Sequence, residues 1–179
     1  MKKWIFTACV VSVLVLPVVA SAGKDPTGGV LVKCGNAEVK IKNWSATIKV
    51  DPGEDGCVYS KDGPKKHKLN EVKFSFKSDG DVQGGAPRWS IPIDTDGDQH
   101  VDHYAFLDAA GCGATVGTTD DVTVSTSKDD CLVNDSGPTY ANWAAFAAAN
   151  PDWKVAKKDI VFIEADQPGD YHVFDFQFG

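Results

Sequence analysis

The sequence predicts a mainly β protein: an antiparallel β-sandwich, or a related barrel, with one short α-helix near residues 140–150. Three observations predict this fold. Short runs rich in β-branched and aromatic residues recur along the chain, and Gly, Pro, Asn and Asp residues separate them. Several of these runs alternate between apolar and polar residues. A single Ala-rich segment departs from the pattern and predicts the helix.

The first 22 residues are typical of an export signal. Lys2 and Lys3 precede a mostly apolar run, which ends in a small-residue Ala-Ser-Ala cleavage site. The apolar run is short for a membrane-spanning helix, which needs about 20 residues, and no later segment is predicted to be transmembrane. We therefore expect a signal peptide over residues 1–22. Residues 23–179 are expected to form a single secreted β-rich domain, extracellular or periplasmic.

Nine runs in this domain are predicted to be strands. Period-two alternation is typical of strands with one buried face. In the last run, Phe174, Phe176 and Phe178 are predicted to share the face opposite Val173 and Asp175. The predicted strands span residues 30–34, 37–42, 47–50, 71–77, 88–94, 103–108, 121–126, 160–165 and 171–178.

The Ala-rich segment 140–150 predicts the short helix. It follows a Gly-Pro pair and ends before Pro151, and Trp143 and Phe146 fall on one stripe of its surface. Thr139 is the predicted N-cap, since its hydroxyl is placed to accept a hydrogen bond from the first turn. The aromatic stripe is predicted to pack across the open end or the side of a sheet.

Four cysteines remain after the predicted cleavage: Cys34, Cys57, Cys112 and Cys131. In an exported chain an even number of cysteines indicates disulfides, and four allow three connectivities. We favour Cys34–Cys57 and Cys112–Cys131, because each pair closes a local strand–turn–strand unit. Loops of about 20 residues would each contribute roughly 3 kcal/mol. The CxxC spacing of zinc sites is absent.

The charge of the chain is acidic and unevenly distributed. Removal of the two signal-peptide lysines takes the formal net charge from -7 to -9, which argues against nucleic acid as a partner. Residues 79–179 hold 18 acidic and 5 basic residues, a balance that favours cation binding. The basic run at 65–68 is interpreted as a solvated loop, with an acidic glycan or an anionic lipid head group as the alternative contact.

The segment DTDGDQHVD places four carboxylates within nine residues: Asp94, Asp96, Asp98 and Asp102. At roughly 5–6 Å and an effective dielectric near 20, each like-charge pair costs about 3 kcal/mol. A hard cation would remove this cost and use the same oxygens as ligands, and calcium is the cation that such ligands suit best. The spacing therefore predicts a structural calcium site.

This segment resembles the DxDxDGxxD calcium loop of thrombospondin type 3 repeats and of integrin-type FG-GAP loops. The resemblance covers nine residues of the chain and implies nothing about the remaining fold. It implies side-chain ligands from all four aspartates and a backbone carbonyl ligand from His100. Gln99 stands where the family has Gly, at a turn that often needs positive φ, which costs about 1 kcal/mol. We expect weak binding, with Kd of about 0.1–1 mM.

The alternative interpretation is an Asp-rich hairpin turn without an ion. Asp96-Gly97 is a turn dipeptide in its own right, and aspartates are frequent in an acidic chain. An EF-hand is excluded because the flanking segments are strand-like and Ala105 stands where that motif has its bidentate Glu.

Two tryptophans are candidate ligand contacts. Trp44 and Trp153 are less constrained by apolar neighbours than the other tryptophans, and exposed rings can stack on sugars. The alternative for both is packing in the core.

Motifs of catalysis are absent from the sequence, which has no GxSxG, no HExxH and no Gly-rich phosphate loop. The leading hypothesis is a secreted calcium-binding β-sandwich that acts as a non-catalytic binding or surface-associated module. Its unknown extracellular ligand would be a glycan or a protein. The alternative is a small secreted hydrolase of a glycan polymer that uses a carboxylate pair, with calcium in a structural role.

Overall fold

The computed structural model describes residues 30–61, 63 and 67–179. Within them, two antiparallel sheets and one short helix enclose a common core, which confirms the predicted β-sandwich. The predicted signal peptide and the first residues of the predicted domain lie outside the described residues. Among those described, no helix is long and apolar enough to cross a membrane.

The larger sheet contains the strands that carry the acidic segment. Its central strand, β6, has six of its seven residues buried, because neighbouring strands flank it and the second sheet covers its inner face. In spatial order the strands are β1 (Leu31–Gly35), β4 (Gly56–Ser60), β12 (Phe162–Ala165), β6 (Arg88–Asp94), β7 (His103–Asp108), β9 (Val133–Asp135) and β10 (Thr139–Tyr140), and β11 (Lys154–Val155) pairs with the end of β6.

The smaller sheet covers the inner face of the larger one. Its central strand, β13, is the longest in the fold and pairs with β3 on one side and β5 on the other. In spatial order the strands are β2 (Glu38–Lys42), β3 (Ser45–Val50), β13 (Gly169–Phe178), β5 (Phe74–Ser78) and β8 (Val122–Ser125).

Aromatic side chains fill the centre of the core. The Trp89 ring on β6 lies 5.5 Å from Phe74, 5.6 Å from Phe76 and 5.0 Å from Phe178, between ring centroids. The two β5 rings are fully buried, as their alternation with polar neighbours predicts. Tilted and edge-to-face rings of this kind contribute more than their buried area alone.

The face predicted for Val173 and Phe174 on the last strand is wrong. Val173 is fully buried, whereas Phe174 stacks against His172 on the outer side of the sheet. The register of β13 against β5 shifts after Phe174, and Asp175 has a φ of 52°. This bulge inserts an extra residue, so the strand changes face and Phe176 points inward.

The helix α1 spans Trp143–Ala149 and lies within the predicted segment. Trp143 and Phe146 are buried as predicted, but the N-cap is Asn142 rather than Thr139. Asn142 Oδ1 accepts a hydrogen bond from the Ala145 N–H at 2.8 Å, whereas Thr139 belongs to β10. The extended β10 pairing takes Thr139 away from the helix.

A 3₁₀ turn, Leu69–Glu71, replaces the start of the predicted strand 71–77. Trp143 Nε1 donates a hydrogen bond to the Leu69 carbonyl at 2.8 Å and so fixes α1 against this turn. The helix therefore packs at the edge of the core, as its stripe predicts.

Two disulfides link Cys34 to Cys57 and Cys112 to Cys131. This is the local connectivity that the spacing favours. Cys34 and Cys57 are direct partners on the paired strands β1 and β4. Cys112 and Cys131 join two irregular segments and are both buried.

Candidate metal site

The acidic segment forms the connection of the β6–β7 hairpin. Asp94 is the last residue of β6, and the Asp102 N–H donates to the Ile93 carbonyl at 2.9 Å, which closes the loop. Gly97 has a φ of 87° and Gln99 a φ of 76°. Gln99 therefore adopts the left-handed conformation that its place in the turn predicts, at a cost of about 1 kcal/mol.

Three of the four aspartates converge within this loop. One carboxylate oxygen from each of Asp94, Asp96 and Asp102 lies within 4.8 Å of the other two. Asp94 is only 4% exposed, whereas the other two are open to solvent. Three carboxylates around one point create a concentrated negative field with access from the surface.

Backbone N–H groups of the loop fix the buried carboxylate. Asp94 Oδ1 accepts from the Gly97 N–H at 2.7 Å, and Asp94 Oδ2 accepts from the Gln99 N–H at 3.1 Å. Each carboxylate oxygen has two lone pairs, so these bonds leave acceptor capacity for a cation. The turn at Gly97 and Gln99 thus orients Asp94 before any ion arrives.

Thr95 holds the third carboxylate of the group. Asp102 Oδ2 accepts from the Thr95 N–H at 2.7 Å and from Thr95 Oγ1 at 2.6 Å. Both bonds lower the pKa of Asp102 from its ordinary value of 3.8, and the bond from the hydroxyl has the larger effect. Asp102 Oδ1 takes no part in either bond.

Replacing Thr95 with Val should raise the pKa of Asp102 towards 3.8, because the hydroxyl donor is lost. A lowered carboxyl pKa stabilises the fold above the unfolded-state pKa, and this contribution is lost as pH falls through the folded-state value. The Thr95→Val protein should therefore lose less stability on acidification. NMR titration of the Asp102 carboxyl measures the pKa. Thr95→Ser keeps the donor and is the control; equal pKa values in Thr95→Val and Thr95→Ser would contradict the assignment.

Asp98 lies outside the converging group of carboxylates, and the backbone carbonyl ligand expected from His100 stays a prediction. Asp98 Oδ1 accepts from the His100 N–H at 2.7 Å, and the Asp98 N–H donates to Asp96 Oδ1 at 3.0 Å. Asp98 therefore shapes the outer part of the loop. His100 Nε2 lies 2.6 Å from Lys158 Nζ, and the Lys158 N–H donates to the Gln99 carbonyl at 3.2 Å.

Two residues of the site were not predicted from the sequence. Lys158 comes from a segment more than fifty positions away, and no local pattern links it to the loop. Thr95 directly follows Asp94, and short hydroxyl side chains commonly bond to groups within their own turn. That tendency is the one sequence signal that could have pointed to Thr95.

A contact between a half-buried imidazole and a buried carboxylate lies beside the site. His103 Nε2 at the start of β7 is 2.6 Å from Asp135 Oδ1 on β9. Burial raises the pKa of Asp135, and the His103 charge opposes this shift. The Trp153 ring packs edge-on against His103, with the ring centroids 5.1 Å apart. This contact fixes the first residue after the loop.

The two candidate ligand-contact tryptophans occupy different parts of the fold. Trp44 is half-buried, and its ring packs edge-on against Phe176 at 5.7 Å. Trp153 is half-buried between His103 and Phe146. Both pack against the core and keep some exposed surface, so contact with a sugar stays a prediction.

The converging carboxylates suit a hard cation that prefers oxygen ligands. No family model matches this chain, and neither the curated proteins nor the solved structures contain a significant match. The functional interpretation therefore rests on the residues themselves.

Proposed function

We propose that this chain is an exported calcium-binding β-sandwich that acts as a non-catalytic binding module. The observation that carries the proposal is the convergence of Asp94, Asp96 and Asp102, whose carboxylate oxygens lie within 4.8 Å of one another. Three carboxylates give a net charge that suits a divalent cation. Calcium accepts six to eight oxygen ligands in flexible geometry, so water and backbone oxygens complete its shell.

The place of the loop in the fold supports a structural role for the ion. The loop joins β6 and β7, two central strands of the larger sheet, and Asp94 anchors it in buried surroundings. An ion held there reduces repulsion among the carboxylates and stiffens the hairpin. The surface beside the loop is then presented to a ligand in a fixed shape.

Two further observations fit an exported protein. The disulfides fit an oxidising compartment, where such bonds form and persist. The sequence begins with the features of a signal peptide. Outside the cell calcium reaches millimolar levels, and extracellular modules bind it with Kd of about 10⁻⁴–10⁻³ M.

Calcium should raise the unfolding temperature of the purified protein. At ten times Kd, or about 5 mM for a Kd near 0.5 mM, ligand binding contributes about 1.4 kcal/mol. For a domain of this size we expect a rise of about 3–6 °C, measured by thermal unfolding with and without a chelator. Magnesium should give a much smaller rise, because it demands tight octahedral geometry and keeps its water.

Asp96→Asn should abolish most of this rise. An Asn side chain can still accept the Asp98 N–H bond that Asp96 Oδ1 accepts now, so the loop keeps its shape while one negative ligand is lost. Asp152→Asn makes the same charge change at an exposed site after α1 and is the matched control. The proposal fails if calcium has no effect, or if both variants respond as the parent does.

A further inference from the structure

A groove of about 510 Å³ opens where α1 meets the 3₁₀ turn. Its floor is apolar and buried, formed by Leu69, Val72, Trp143 and Ala147. The volume lies within the range of small-molecule sites, about 300–1,000 Å³. None of the residues that line it belongs to the acidic loop.

The helix side of the groove is apolar. Ala144, Ala147 and Ala148 line it with methyl groups, and α1 contains no charged residue. Two of the polar groups in the lining are already engaged: Thr126 Oγ1 bonds to the Phe74 backbone, and Asn150 Nδ2 donates to the Phe146 carbonyl. A sugar requires many hydrogen bonds, and a peptide requires partners for its backbone groups. An aliphatic chain requires neither.

The rim of the groove is cationic. Lys68 and Lys73 line it, both are exposed, and neither has an ion-pair partner within the described part of the chain. Lys154 is the bridge partner of Lys68 and adds a third positive charge. The nearby acid, Glu71, accepts a bond from the Lys68 N–H and lies 3.8 Å from His67. On a chain of net charge -7, this rim favours an anionic group.

We propose that this groove binds an amphiphilic anion with an aliphatic chain, of the fatty-acid class. The chain lies along the alanine wall over Leu69 and Val72, and the anionic head lies between Lys68 and Lys73. Burial of methylene groups supplies affinity, and the lysines select the sign of the head group. This site requires no bound calcium.

Titration with decanoate below its micelle concentration tests the proposal. The Trp143 indole N–H, which donates to Leu69 beneath the groove, provides an NMR signal that filling should shift. Decyltrimethylammonium has an alkyl tail that is one carbon longer and a cationic head. We expect saturable decanoate binding with affinity roughly tenfold or more above that of the cation. Absence of saturable binding, or equal binding of the two head groups, overturns the proposal.

Two pairs of variants locate the site. Ala148→Leu fills the groove and should weaken decanoate binding about tenfold, whereas Ala145→Leu, exposed on the same helix outside the lining, should leave it unchanged.

Lys73→Glu should weaken decanoate binding and strengthen that of the cation, and Lys49→Glu on the smaller sheet is its control. Lys73→Glu changes only an exposed side chain, so it tests the site even where Ala148→Leu disturbs the helix. Unchanged decanoate affinity in Lys73→Glu overturns the assignment.

Discussion

Replacing Trp89 with Ala should destabilise the fold by about 3–5 kcal/mol, the range for a large buried aromatic side chain. Trp89 is fully buried on the central strand and contacts rings from both β5 and β13. Its removal leaves a cavity between the two sheets that neighbouring rings fill only in part. Because single domains are stable by about 5–15 kcal/mol, this change removes a large fraction of the total. Chemical denaturation measures the loss.

Two control variants separate packing from other effects. Trp44→Ala makes the same chemical change at a half-buried position beside β13 and should cost far less. Trp89→Phe keeps a ring in the core and removes an indole N–H that has no hydrogen-bond acceptor in the described part of the chain, so it should also cost less than Trp89→Ala. A loss in Trp89→Ala no larger than in Trp44→Ala would contradict the central place given to this ring.

Removing the Cys112–Cys131 disulfide by a double replacement with Ala should cost about 3 kcal/mol or more. Closure of a loop with a sequence separation of 19 accounts for about 3 kcal/mol, and both cysteines are also buried in the core. The bond joins two irregular segments, which are otherwise linked by isolated contacts such as the Leu132 N–H to the Gly111 carbonyl at 3.0 Å. Its loss should therefore loosen both segments.

The double replacement of Cys34 and Cys57 is the matched comparison. Its loop is similar, with a sequence separation of 23, but the two cysteines are direct partners on paired strands whose hydrogen bonds remain. We expect a smaller loss, confined to fraying of β1 at the sheet edge. Equal denaturation curves for the two double variants would show that loop closure alone governs the effect.

Local patterns in the sequence predict most of the central strands. The alternation at Phe74 and Phe76 and the runs 88–94 and 103–108 correspond closely to β5, β6 and β7. β4 was not predicted, because four of its five residues are buried and no alternation marks it. β9 and β10 have three and two residues, which is too short for a periodic signal.

Other features depend on contacts that sequence reasoning cannot supply. The face change at Asp175 follows from a bulge against β5, and a single residue of positive φ has no signature in an alternating run. The aspartates of the loop were predictable because they are adjacent in sequence. The contact of Lys158 and the groove beside α1 were not, because distant segments assemble them.

The proposed function depends on calcium binding by the Asp94–Asp102 loop. The most direct test follows the backbone amides of Gly97, Gln99 and His100 by NMR during a calcium titration, because these N–H groups donate to the carboxylates of the loop. We expect all three signals to shift together with one Kd of about 0.1–1 mM, and we expect Asp96→Asn to abolish the shifts. Calcium binding by this loop would be contradicted if the three signals did not shift at a calcium concentration several times this Kd, or if they shifted no more than the signals of surface amides elsewhere.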